Sequence, residues 1–301
     1  MKHETIFTGA ATALITPTNE KGIDYVAFEK LINWQIEKGI DALVICGTTG
    51  EGATLSDEEH RMALKFAVDT VDGRVPVIAG TGSNDTAYAI ALTKYACSIG
   101  CDAMLCVTPY YNKTTQRGLV AMFTAIADAS TKPIILYNVP SRTGINIEPA
   151  TCKVLSEHPN IAAIKEASGN LSQIMEIAAA VGEDMDIYSG NDDQIVPIMA
   201  CGGKGVISVL SNLVPGETHD LCEAMLEGDC KKAMVLQKKY LPTIHALFSE
   251  VNPIPVKAAM AAMGFCRNFV RLPLVTMEQS KEKVLLEEMK KAGILNGSTP
   301  L

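Results

Sequence analysis

A lysine, Lys165, ends the short apolar run Ile161-Ala-Ala-Ile164. Lysine is rarely buried without a partner, so this one either snorkels to solvent or is held for its amine. An amine drawn into a partly apolar pocket loses solvation of its charged form, its pKa falls, and the neutral nitrogen becomes a nucleophile toward carbonyl carbon. Other chemistry-bearing groups follow other apolar runs: Gly47-Thr-Thr-Gly-Glu-Gly52, Thr108-Pro-Tyr-Tyr-Asn112, Tyr137-Asn-Val-Pro-Ser-Arg-Thr-Gly144 and Ser189-Gly-Asn-Asp-Asp193. If the runs are neighbouring strands, hydroxyls, phenols, one arginine and one lysine converge on a single rim.

The runs that must position them are Ala11–Thr16, Ala42–Cys46, Val75–Ala79, Ala103–Val107, Pro133–Tyr137, Ile161–Ile164, Asp186–Tyr188 and Gly205–Ser208. Their unbroken apolar character suits a parallel sheet covered on both faces. Helical signals lie between them: Ser56-Asp-Glu-Glu59 reads as a capping box, and Asn84 precedes the apolar-periodic stretch from Ala87 to Ala96. Eight βα units at intervals of roughly 20 to 35 residues have the rhythm of an α/β fold of the (β/α)8 TIM-barrel kind, whose active site lies at the carboxyl ends of the strands. We expect the barrel, as catalytic domain, over 1–226 and a C-terminal helical domain over 227–301, with helical runs at Ala233–Tyr240, Thr243–Phe248, Pro255–Met263 and Met277–Ala292.

Each rim feature also has an ordinary structural reading. Gly47-Thr-Thr-Gly50 serves equally as a tight turn or as amides and hydroxyls for a small carboxylate. It lacks the Lys-Ser/Thr that completes a phosphate loop, and Gly80-Thr-Gly82 fails as a dinucleotide fingerprint. Tyr110 and Tyr111 could simply pack, Tyr137 could be a core tyrosine at a strand end, and Arg142 could be solvated, although its planar fork is also what a substrate carboxylate needs. Strand alternation turns Glu166 away from Lys165, toward a structural ion pair.

Composition narrows the function. A formal net charge of −8, with no basic block, argues against nucleic-acid or anionic-membrane partners. No run approaches the ~18 apolar residues of a membrane span and Met1–Phe7 has no signal-peptide core, which points to the cytoplasm. Nine cysteines without a Cys-x-x-Cys pair read as small buried thiols, and five scattered histidines give no metal motif.

On these motifs, together with Gly205-Val-Ile-Ser208 and Asn252-Pro-Ile-Pro-Val-Lys257, the chain resembles the dihydrodipicolinate synthase family, in the superfamily of pyruvate-dependent class I aldolases and N-acetylneuraminate lyases. The resemblance spans nearly the whole barrel. It implies that Lys165 forms an imine with pyruvate, whose enamine attacks L-aspartate-4-semialdehyde, with no cofactor and no metal. It implies Tyr137 as general acid/base, Thr48 and Tyr111 as its proton relay, Thr49 with Thr48 at the pyruvate carboxylate, Arg142 at the semialdehyde carboxylate, and backbone groups of Gly190 and Ile207 lining the pyruvate end. It further implies that Tyr111 serves a neighbouring subunit, in a homodimer or homotetramer. Sugar-acid lyases, the alternative within the superfamily, typically lack the Ser-Arg-Thr-Gly loop and the paired tyrosines; a non-catalytic paralogue would have lost Lys165 or Tyr137. Lysine-inhibited members use an acidic residue at the position aligned with Tyr88 and a histidine at that aligned with Asp57. Asn84, His60 and Tyr110 match that site while Tyr88 and Asp57 do not, so the resemblance implies a vestigial lysine site.

Overall fold

Continuous burial on both faces is what the eight apolar runs require, and the chain meets it by closing them into a ring. In the computed structural model, which describes residues 4–295, the strands are β1 (Gly9–Ala13), β2 (Ala42–Ile45), β3 (Val77–Gly80), β4 (Ala103–Val107), β5 (Ile134–Asn138), β6 (Ile161–Glu166), β7 (Asp186–Ser189) and β8 (Gly205–Ser208). Each pairs in parallel with the next and β8 returns to β1, giving the closed barrel expected from the sequence. A short antiparallel hairpin, Thr18–Asn19 with Gly22–Ile23, lies outside it.

Most strand ends shift by one to three residues from the expected runs, and three of the shifts have a clear physical cause or consequence. β1 begins two residues early, because Gly9 and Ala10 pair with Gly205 and Val206; Thr16 instead spends its hydroxyl on the Gly50 carbonyl. β3 begins at Val77, since Pro76 has no N–H for the ladder and contributes only its carbonyl, to Leu43. β6 runs on through Lys165 and Glu166, so the lysine stands inside the strand rather than after it.

Two apolar layers result. Outside the ring, helices cover the strands; inside, the filling is narrow, with Ala11, Ala13, Ala42, Ala103 and Ala163 beside Val44, Ile135 and Ile207. Small side chains there leave room for large ones above. At the amino-terminal end Phe7 lies flat on Tyr188, ring centres 4.2 Å apart, and its carbonyl accepts the Tyr188 hydroxyl at 2.7 Å. That pair is the floor of the barrel.

The Ser56–Glu59 capping box forms as expected. Asp85, not Asn84, caps the next helix, which frees the Asn84 amide for the Tyr110 carbonyl at 3.2 Å. The last helix against the ring ends at Leu226, and among the described residues no strand follows β8. The two expected runs at Ala233–Tyr240 and Thr243–Phe248 form one helix, Cys230–Leu247, with Pro242 inside it. Proline removes one helical hydrogen bond, and the carbonyl it leaves unserved belongs to exposed Lys238, where solvent can satisfy it. Helices Ile254–Ala262 and Gln279–Lys291 complete the tail. All nine cysteines are free, but Cys230 is exposed and Cys97, Cys201 and Cys266 are only partly buried, because they fall on helix surfaces and loops rather than in strands. Among the described residues no helix is long and apolar enough to cross a membrane.

Candidate active site

Register places the lysine. Lys165 on β6 pairs with Tyr137 on β5 and Tyr188 on β7, and partners in a parallel ladder face the same way, so all three point into the barrel. Tyr188 turns its hydroxyl down to Phe7 and acts as floor. Tyr137 faces the cavity, and the Lys165 amine lies 4.4 Å from the centre of its ring. Gly190 is required beside them: a methyl group there would come within 2.7 Å of the Ala167 methyl and 3.2 Å of Cε of Lys165.

With only 6% of its surface exposed, Lys165 has its pKa lowered from 10.5 to about 8 by burial, the charge of Asp192 pulling it back up and that of Arg142 pushing it further down. At pH 7 about one amine in ten is then neutral, against roughly three in ten thousand for an ordinary lysine. Burial also raises the Tyr137 phenol, while the charge of Arg142 and a hydrogen bond from Thr48 oppose the rise. Tyr137 is therefore a protonated phenol at neutral pH, with a hydroxyl partner already in place.

Thr48 and Thr49 stand on the turn after β2. The amide of Glu51, in left-handed conformation, donates to the Thr48 carbonyl at 3.1 Å and that of Gly52 to Gly47 at 3.2 Å. Arg142 belongs to the short helix Pro140–Thr143 after β5, and its Nη2 donates to the Asn252 carbonyl at 3.1 Å. Thr48, Tyr137 and Arg142 share one cavity of about 580 Å3. Ile207 is buried on β8 in the inner layer with Tyr137.

Tyr111 does not join this group. It is 93% exposed, held at φ +69° beyond β4, and is not among the residues that line the cavity. His60, Tyr88 and Tyr110 line the same cavity. His60 is buried, its Nε2 2.9 Å from the Gly80 carbonyl, and burial holds its pKa low. Asp57 is already engaged, accepting from Arg61 at 2.8 Å and from the Tyr88 hydroxyl at 2.9 Å.

Glu166 corrects one expectation. Among the described residues it makes no ion pair; its buried carboxylate accepts from the Asn138 amide at 3.1 and 3.2 Å, the Ser168 N–H at 2.8 Å and Gln173 at 3.4 Å. Three further residues escaped the sequence reading. Asp192, fully buried, accepts from the N–H groups of Val209 and Leu210 and is the acid acting on Lys165. Asn252 donates to Thr49. Lys257, with no exposed surface, pairs with Glu51 at 2.5 Å and donates to Thr18 and to the Phe269 carbonyl. The only signal for the last two was their place in Asn252-Pro-Ile-Pro-Val-Lys257. Among the described residues no cluster of three potential metal ligands occurs.

A parallel barrel that holds a desolvated amine against a phenol, beneath hydroxyls and a guanidinium, defines the class I aldolase type of barrel enzyme. Within that class, the profile of the Dihydrodipicolinate synthetase family matches residues 6–292, and the chain belongs to this family. The 4-hydroxy-tetrahydrodipicolinate synthase of Alkaliphilus oremlandii is 52% identical to it, over 96% of this chain and 100% of the relative. That of Clostridium tetani is 53% identical, over 96% and 99%. Among solved structures, the chloride-inhibited dihydrodipicolinate synthase of Acinetobacter baumannii complexed with pyruvate matches with a TM-score of 0.95 at 42% identity, covering 97% of this chain and 100% of that one. The enzyme from Cyanidioschyzon merolae with lysine bound matches at 0.94 and 41%, with the same coverage.

Proposed function

We propose that the chain is a 4-hydroxy-tetrahydrodipicolinate synthase, a lyase that condenses pyruvate with L-aspartate-4-semialdehyde through an imine on Lys165. The observation that carries this is the inward-facing, desolvated amine of Lys165 beside Tyr137. The neutral amine adds to the pyruvate ketone, and loss of water leaves an iminium. The iminium is the electron sink that makes a methyl proton removable, so no cofactor is called for. The resulting enamine carbon attacks the aldehyde, and the semialdehyde's own amine then displaces Lys165 as the ring closes.

Tyr137 delivers and removes protons at the imine, with Thr48 as its partner. Thr49 and Thr48 hold the pyruvate carboxylate, the groups of Gly190 and Ile207 line that end, and Arg142 holds the semialdehyde carboxylate. Incubation with pyruvate and borohydride, followed by peptide mass analysis, tests the reading. The adduct should fall on Lys165, and its rate of formation should climb from pH 6 through about pH 8, where half the amine is neutral, and level off about a unit higher. A folded protein that takes no adduct refutes the imine.

Tyr111, too exposed to serve its own chain, would complete the relay of a second copy in a dimer or a pair of dimers. Mixing inactive Tyr111→Phe and Lys165→Ala chains is expected to restore part of the activity, since one site in a mixed pair is intact. No recovery despite proven subunit exchange counts against sharing.

The part of the cavity lined by His60, Tyr88 and Tyr110 should respond weakly to lysine. A ligand ammonium would find no acid at Tyr88, and the nearby Asp57 carboxylate is already engaged by Arg61. A missing charge partner in comparable buried pairs costs about 2 to 5 kcal/mol. Half-maximal inhibition by sub-millimolar lysine would overturn this expectation.

A further inference from the structure

Asn252 lies just before the tail helix Ile254–Ala262, 5% exposed, at the edge of the cavity. Its two polar ends reach two different residues of the proposed site. The side-chain Nδ2 donates to Oγ1 of Thr49 at 2.9 Å, and the backbone carbonyl accepts from Nη2 of Arg142 at 3.1 Å.

The direction of the first bond matters. A threonine hydroxyl has one hydrogen to give and lone pairs that accept. With the Asn252 Nδ2 on its accepting side, and no other hydrogen-bond partner for Thr49 Oγ1 among the described residues, the hydroxyl hydrogen is uncommitted, as is the buried Oδ1 of Asn252 itself. A hydroxyl so polarised is a donor suited to a carboxylate. The second bond fixes one arm of the guanidinium and leaves its remaining N–H groups for a second carboxylate.

We infer that Asn252 is a positioning residue of the site: its side chain orients Thr49 as a donor to the carboxylate of the 2-oxo acid, and its backbone anchors Arg142 at the opposite end. This rests on the proposed imine chemistry and adds a tail residue to it. Because only the first contact uses the side chain, substitution separates the two ends.

Asn252→Asp places an acceptor against the Thr49 hydroxyl and draws its hydrogen away from the ligand; Asn252→Ala removes the partner without adding charge. In both, the pyruvate concentration that half-saturates borohydride trapping should rise about tenfold. The KM for the semialdehyde should stay within about twofold, since the backbone contact to Arg142 survives. In a Thr49→Val background the Asn252→Ala change should add nothing further to the pyruvate dependence, an outcome a merely structural role would not produce. Unchanged pyruvate dependence in either variant, melting like the parent, overturns the inference. So does a proportional rise in both constants, or additivity with Thr49→Val. A parent enzyme that takes no pyruvate adduct at all instead removes the imine reading beneath it.

Discussion

Lys165→Met is expected to lose the borohydride-trapped pyruvate adduct and to fall in kcat/KM on the order of 10^4-fold or more, because no other group here can form the imine. The same change should make the protein more stable. Holding a charged amine where its pKa is about 8 rather than 10.5 costs roughly 2 to 4 kcal/mol when the amine is protonated. The sign follows from proton binding. Between about pH 8 and 10.5 the folded amine is neutral while the unfolded one is still protonated, so the parent gains stability as pH rises through that window. Denaturant unfolding should therefore show the methionine variant ahead of the parent at pH 7, with the gap closing toward pH 10. An equal or larger gap at pH 10 would mean that the cost lies in packing rather than in charge.

Lys257→Met is the second large effect, in the opposite direction. Lys257 is fully buried and paired with Glu51, whose other oxygen accepts the Arg271 N–H at 3.2 Å. Removing one member of such a pair leaves an uncompensated buried charge and costs about 3 to 5 kcal/mol, whereas removing both is often close to neutral. The double variant Lys257→Met with Glu51→Gln should thus recover most of the stability lost by the single one, as read by urea unfolding. If the two single losses simply add, the pair is not coupled. The ion pair also ties the turn that carries Thr48 and Thr49 to the tail.

Much of this arrangement was legible in the chain because barrel strands announce themselves twice. Ile161-Ala-Ala-Ile164 is apolar enough to be a buried strand, and Lys165 is too polar to end it without cause. The pairings that give the lysine its neighbours are local to adjacent strands, β5 to β6 and β6 to β7, and so follow from chain order. Glu166 was misread because its partners are neutral amides, Asn138 and Gln173, which carry no charge to advertise the contact. Asn252 and Lys257 were out of reach for another reason. Their contacts span 203 residues to Thr49 and 239 to Thr18, and no periodicity encodes how a tail helix folds back onto a barrel mouth. Asp192 could be seen as a polar residue after β7, but its effect on Lys165 comes from burial, which only the closed ring creates.

The stack of Phe7 on Tyr188 makes the chamber a cul-de-sac. What reacts with Lys165 has to travel in through the carboxyl-end mouth, and everything released has to leave by the same door. On the imine chemistry proposed above, the smaller reactant would take the inner berth, the water shed in its capture would depart past an empty threshold, and the larger reactant would arrive last and cork the passage. Order of entry would then be set by the plumbing of the barrel, independently of how tightly either reactant is held.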